Sequence, residues 1–347
     1  MRKRLFSLPT LISFALAAFL LLFLATRFDI DLASTWERIR ATNPVLYLLA
    51  LLVYYTTFLF RGARWRLLLA NAGVAREAPL PSLWVSARLV LLGWLASAVT
   101  WFRMGDAYRA YAYSLESGAP LPRTVGTVLA ERILDVVTIF VLLIAAFLLL
   151  YANTKDRPST TFLIVGAGLL VAALVALTVL HFLRERVNRH LPARFQKVYH
   201  SFREGTLSSF RQLPMVALLG LLGWLAEVGR LYLVVQSTGL EVGVGLIVFV
   251  TIANALLSAV PLTPGGLGIV EPGIAGLLTL APALADLDSE VALSVALPVV
   301  LLDRSISYAS LVIFGSVAFL IHQRARAARN KVSAPLAQAD DRQSEVT

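Results

Sequence analysis

The 347-residue chain is 58% apolar and 15% charged, carries no cysteine and has a formal charge of +10. A water-soluble domain covers its surface with about 25% charged residues, so the composition excludes an ordinary soluble globule and makes lipid the expected solvent. The lack of cysteine excludes disulfides and thiolate metal sites, and the basic residues flank apolar runs, which points to a membrane surface rather than to nucleic acid.

The chain opens Met1-Arg-Lys-Arg4, followed by an apolar run to Ala25. That run is longer than a secretory h-region and no small-x-small cleavage pattern follows it, so it is expected to stay as the first helix. Further apolar segments lie near 44–60, 83–101, 125–151, 160–183, 215–236, 243–262, 266–281 and 291–321. Several reach the roughly 20 residues that a bilayer span needs. The expected fold is all-α: a polytopic transmembrane helix bundle of about six full spans plus re-entrant or broken half-helices, drawn from about eight hydrophobic segments. Residues 1–321 form the membrane domain, and 322–347 read as a basic, then polar, disordered cytoplasmic tail.

Charge between the segments sets the topology. If 83–101 does not cross fully, the stretches 61–124 and 184–214, with eight and seven Lys/Arg, fall on the same side as both termini. The positive-inside rule makes that side cytoplasmic. The stretch 243–281 must then begin and end outside. It is two short crossings or a pair of half-helices meeting at Pro261-Leu-Thr-Pro-Gly-Gly-Leu-Gly268. Within 184–213, Val187, Leu191, Phe195, Val198 and Phe202 recur at helical steps, while Arg189, Arg194, Lys197 and Arg203 fill other faces. This reads as an amphipathic cytoplasmic segment at the headgroup layer.

Ionisable residues inside apolar spans cost about 2.5–3.5 kcal/mol each on insertion scales, so each needs a reason. Glu131 and Asp135 share a helical face, and Arg132 lies three residues from Asp135. Glu227 and Arg230 are likewise three apart. Asp303 and Arg304 point about 100° apart, so each needs a partner on another helix. Such charges either lock a bundle through ion pairs or line a polar interior that accepts a charged guest. Three clusters plus Glu271 favour the interior, because small residues and packing suffice to lock membrane helices. Arg103, Asp106 and Arg109 place plus, minus, plus on one face, and an arginine fork suits a phosphate. Asn254 is a polar candidate within 243–262. Gly265 and Gly266 precede Pro272, which fits the first turn of a half-helix whose free N–H groups suit an anion. Nothing resembles a nucleotide loop, a dinucleotide fingerprint or a hydrolase triad. The four histidines, His181, His190, His200 and His322, show no ligand spacing, so no metal or cofactor is expected.

Arg64-Trp-Arg66, Arg103-Met-Gly-Asp-Ala-Tyr-Arg109, Glu131-Arg-Ile-Leu-Asp135, Pro261-Leu-Thr-Pro-Gly-Gly-Leu-Gly-Ile-Val-Glu271 and Asp303-Arg304 together resemble the lysylphosphatidylglycerol synthase transmembrane-region family, the flippase-like UPF0104 membrane proteins. The resemblance covers about residues 10–320. It implies a multi-pass bacterial or archaeal plasma-membrane protein; in the two-domain synthases such a region is associated with moving an aminoacylated lipid across the bilayer. The chain departs from the family pattern at Ser97 and Trp101, near the places of an Asn and a Pro, and at Asp106, where a Glu is usual. Its length leaves no room for the soluble aminoacyl-transferring domain, so lysyl transfer is not expected. The expectation is a flippase-like protein that binds and translocates an anionic lipid or lipid-linked headgroup. Arg103, Asp106, Arg109, Glu131, Arg132, Asp135, Glu227, Arg230, Asn254, Gly265, Gly266, Glu271, Asp303 and Arg304 would form its site. A membrane-embedded transferase acting on a lipid-linked sugar or phosphate, and a non-catalytic partner of an envelope-lipid or glycan enzyme, are the alternatives.

Overall fold

A computed structural model of the chain describes residues 32–100, 104–153, 193–259, 263–284 and 287–324. The apolar runs near 5–26 and 160–183, Arg103 and the tail beyond 324 lie outside these residues. Every regular element among the described residues is helical: α1 (Leu32–Arg40), α2 (Pro44–Asn71), α3 (Leu83–Val99), α4 (Gly105–Ser117), α5 (Leu121–Asn153), α6 (Ala193–Ser208), α7 (Leu213–Ser237), α8 (Val244–Ala259), α9 (Val270–Leu278) and α10 (Ser289–Arg304). Beyond α10 the chain passes through a π-helical turn at Ser305–Ser310 and remains helical to Arg324.

Four helical stretches are long and apolar enough to cross a membrane: Pro44–Asn71, Leu121–Leu149, Gln196–Ser237 and Ser289–Arg324. The helices Leu83–Val99 and Val244–Ser258 are apolar but shorter. The protein is therefore a multi-pass helical bundle. Its outer faces carry large bare apolar side chains, Leu52, Leu148, Ile313 and Ile321 among them, as surfaces solvated by lipid do.

Local chemistry sets the helix starts. Asn43 caps α2, its side chain accepting from the N–H groups of Val45 and Leu46 at 3.0 and 3.3 Å, with Pro44 in the first turn. Ser82 caps α3 through the Val85 N–H at 3.3 Å. α2 is the axis of the bundle: it packs along α7 and also against α3 and α5. Close helix crossings rest on glycine. Gly62 lies against the Ala87 backbone, Gly93 against Gly105, and Gly126 and Gly205 bring α5 onto α6. Small residues let membrane helices approach in this way.

One detail differs from the sequence reading. The helix that begins at Pro44 does not end with its apolar run near 60 but continues through Arg61, Arg64 and Trp65 to Asn71. At about 1.5 Å per residue α2 outruns the roughly 30 Å hydrocarbon core, and its last turns bury charge instead of releasing it to a loop. The described part of the amphipathic stretch, α6, packs on α5. The segment 243–281 is broken as expected. α8 and the nine-residue α9 are separated by a turn in which Gly265, Gly266 and Gly268 hold φ of 61°, 73° and 81°. Side chains rarely adopt that conformation, so the turn needs glycine.

Candidate functional site

Charge collects where α2, α4 and α5 meet. From α2, Arg64 reaches Asp135 Oδ1 at 2.8 Å and Glu131 Oε1 at 3.0 Å. From α4, Arg109 reaches Glu131 Oε2 and Asp106 Oδ1, both at 3.1 Å. From α5, Arg132 touches Asp106 at 3.1 Å and Glu131 and Asp135 at 3.2 Å. Arg61 stands 3.8 Å from Asp135 Oδ2. Its guanidinium lies 5.1 Å from the Trp94 ring and 5.4 Å from the Trp224 ring, a cation–π clamp. Trp224 Nε1 also donates to Asp135 at 3.4 Å. Arg109 lies 4.8 Å from the Trp65 ring.

The sequence makes room for these groups. Gly220 and Gly223 on α7 face Arg64 and Arg61: a Cβ at Gly220 would sit 2.7 Å from Arg64 Nη1, and one at Gly223 would sit 3.4 Å from Arg61 Cγ. A side chain at Gly220 would displace the Arg64 guanidinium, while Gly223 lets α7 lie in van der Waals contact with the Arg61 stem.

The four arginines face three carboxylates. Arg61, Arg64, Arg109, Glu131 and Asp135 are buried. Arg132 and Asp106 are not: 41% and 43% of their side chains are exposed. The network is thus a buried lattice with one open end and one guanidinium in excess.

A second group lies between α7 and α10. Arg230 forms an ion pair with Asp303 and stands 3.4 Å from Glu227 Oε2. Tyr54 on α2 places its ring 5.5 Å from Arg230 and donates from its hydroxyl to the Ser307 carbonyl at 3.1 Å. Here two carboxylates share one guanidinium.

A third group holds the glycine turn. Arg304 Nε donates to Glu271 Oε1 and its Nη2 to the Gly265 carbonyl, both at 2.8 Å. Glu271 Oε2 accepts from the Gly268 N–H at 2.6 Å. The donor at this helix start is taken by the chain's own carboxylate. Arg304 also lies 5.2 Å from the Tyr308 ring.

The candidate residues therefore divide among three places. Asp106, Arg109, Glu131, Arg132 and Asp135 meet in the first network. Glu227, Arg230 and Asp303 meet in the second, and Gly265, Glu271 and Arg304 in the third. Gly266 closes the same turn, its N–H donating to the Thr263 carbonyl at 3.2 Å. Asn254 is buried on α8 and accepts from Ser258 Oγ at 3.2 Å. Arg103 lies outside the described residues. Arg61 and Arg64 belong to the first network although the sequence reading counted them as loop charge. The signal for them is the helical stripe Tyr54, Phe58, Arg61, Trp65, Leu68, which runs on without a break. No group of His, Asp and Glu suited to a metal ion occurs among the described residues.

The pattern for the lysylphosphatidylglycerol synthase TM region matches this chain over residues 10–330. A UPF0104 membrane protein of Methanocaldococcus jannaschii is 30% identical over 225 residues, which cover 64% of this chain and 92% of that protein. A UPF0104 membrane protein of Pyrococcus horikoshii is 26% identical over 306 residues, 80% of this chain and 87% of the relative. One from Methanothermobacter thermautotrophicus is 24% identical over 292 residues, 78% and 81% of the two chains. These three relatives are archaeal.

Proposed function

The chain belongs to the lysylphosphatidylglycerol synthase TM-region family, and from that premise we propose that it binds the headgroup of an anionic lipid in the α2–α4–α5 network and carries it across the plasma membrane. The observation that carries this reading is the half-exposed Arg132–Asp106 pair at the open end of a buried network in which guanidiniums outnumber carboxylates. Arg132 and Asp106 face outward together, so an incoming phosphate can replace the Asp106 carboxylate on Arg132 and Arg109 without disturbing the buried pairs beneath. A planar guanidinium fork binds phosphate oxygens two at a time. Burial of the rest of the lattice keeps competing water away and holds the forks in place. The basic charge of the stretch 184–214 supports a cytoplasmic position for this opening by the positive-inside rule.

The test is movement of fluorescent phosphatidylglycerol and phosphatidylcholine in proteoliposomes carrying wild-type protein or Arg132→Gln. Wild type is expected to move the anionic lipid faster than the zwitterionic one. Arg132→Gln, compared with wild type at equal amounts of folded protein, should slow that movement about tenfold, the loss of one charge-assisted contact to the headgroup. Equal rates for both lipids, or no movement above empty vesicles, would refute the proposal.

A further inference from the structure

The two buried groups are each out of charge balance, in opposite directions. The α2–α4–α5 network holds Arg61, Arg64, Arg109 and Arg132 against Asp106, Glu131 and Asp135. The α7–α10 group holds Arg230 against Glu227 and Asp303. Summed, five cations face five carboxylates, and the balance depends on Arg61 and Glu227, the least well paired member of each group. Among the described residues Arg61 forms a single ion pair, the 3.8 Å contact with Asp135, and its Nε finds no hydrogen-bond partner. Glu227 Oε1 is likewise buried without a hydrogen-bond partner among them. Glu227 is one of the carboxylates within electrostatic reach of Arg61, but the two form no ion pair. Trp224, one helical turn from Glu227, stacks on Arg61 and donates to Asp135, so one side chain ties the two groups together.

We propose that Glu227 takes up a proton from the aqueous phase when an anionic headgroup enters the α2–α4–α5 network, so that anion and proton bind together. This rests on the reading of the network as a headgroup site. The argument is one of charge conservation in a medium that tolerates little net charge. One phosphate entering the network adds one negative charge to an interior that was balanced. The Arg61 excess is drawn to the phosphate, and Glu227 loses its only long-range compensation from α2. A proton on Oε1 restores neutrality and converts an unpartnered carboxylate oxygen into a hydroxyl. The new O–H bond forms at Glu227, and no bond in the lipid is made or broken.

Other groups around Glu227 do not compete for this role. From α2 it faces Arg61 and the Tyr54 hydroxyl, from α10 Asp303, and on its own helix Arg230. From α5 Asp135 already holds Arg64, Arg132 and the Trp224 N–H. α8 carries no ionisable residue. Asp303 Oδ2 also lacks a hydrogen-bond partner among the described residues, but Asp303 is bound directly by Arg230 through Oδ1, whereas Glu227 stands 3.4 Å from the same guanidinium and is the less tightly held carboxylate. Coupling is reciprocal: protonation of Glu227 tightens anion binding, so affinity for the anion falls as pH rises through the titration of Glu227.

The experiment is phosphatidylglycerol binding to the full chain in weakly buffered neutral detergent, with a pH-indicator dye reporting protons and phosphatidylcholine as control. Wild type is expected to take up about one proton per phosphatidylglycerol bound and to bind it more weakly as pH is raised. Glu227→Gln, which mimics the protonated acid, should bind phosphatidylglycerol with no proton uptake and with affinity independent of pH. Phosphatidylglycerol binding without proton uptake in wild type would overturn the coupling while leaving the headgroup site intact. So would an unchanged proton signal in Glu227→Gln. Failure of phosphatidylglycerol to bind folded wild type at any pH would remove both the coupling and the headgroup site.

Discussion

Arg64 and Arg123 solve the same problem in opposite solvents. Each gathers two carboxylates: Arg64 holds Glu131 and Asp135, and Arg123 holds Glu77 and Glu204. The Arg64 side chain is fully buried, with partners 1% and 6% exposed. Arg123 is 14% exposed, with partners 43% and 41% exposed, and it lies in a cleft with Lys197 and His200 at the α5–α6 junction. Around Arg123 water screens the pair, so its strength is modest. Around Arg64 nothing else can solvate the charge, so the network must be complete or the fold suffers. A charge lattice kept in the interior at that cost, and half exposed at Asp106 and Arg132, suits the proposed headgroup site, whereas the Arg123 cluster ties α5 and α6 to the turn after α2.

That contrast can be broken by mutation. Asp135→Ala strips Arg64 of one partner in a fully buried site and should lower stability by about 3–5 kcal/mol, read as loss of folded protein during denaturant or thermal unfolding in detergent. A change no larger than that of a surface variant would place Asp135 in water and undo the comparison. Gly220→Leu puts a side chain where Arg64 Nη1 now lies. It should cost about 1–3 kcal/mol through overpacking, and Gly220→Ala less, so the ratio of the two measures how firmly Arg64 is held. Arg123→Gln should change stability by no more than about 1 kcal/mol, with the small effect weakening further in high salt. A large, salt-insensitive loss at Arg123 would show that its cluster is buried in the membrane-embedded protein and erase the distinction.

Parts of this arrangement were legible in the sequence because they follow from helical geometry. Arg132 with Asp135, and Glu227 with Arg230, are three apart and do meet, at 3.2 and 3.4 Å. The divergence of neighbours Asp303 and Arg304 required two separate partners, and they go to Arg230 and Glu271. The glycine-rich break between α8 and α9 was readable from glycine and proline alone. The distribution of residues over three groups was not readable, since it depends on which helices become neighbours. Arg61 escaped because an arginine at the end of an apolar run looks like the start of a loop. Only the continuing stripe of buried positions on α2, and the glycines on α7 opposite, reveal it as interior. The glycine turn also shows a limit of motif reasoning. The pattern offered the helix start after Gly265 and Gly266 to an anion, and in the fold Glu271 takes the Gly268 N–H there.

The most direct measurement is photo-crosslinking of the reconstituted protein with phosphatidylglycerol bearing a photoactivatable group near the headgroup, followed by mapping of the modified peptides. The account predicts adducts concentrated on α4 and α5 around Asp106 and Arg132, suppressed by excess phosphatidylglycerol, untouched by phosphatidylcholine and reduced in Arg132→Gln. Adducts spread over the outer faces of α2 and the last helix, around Leu52 and Ile313, and suppressed equally by both lipids, would show that the network takes no headgroup.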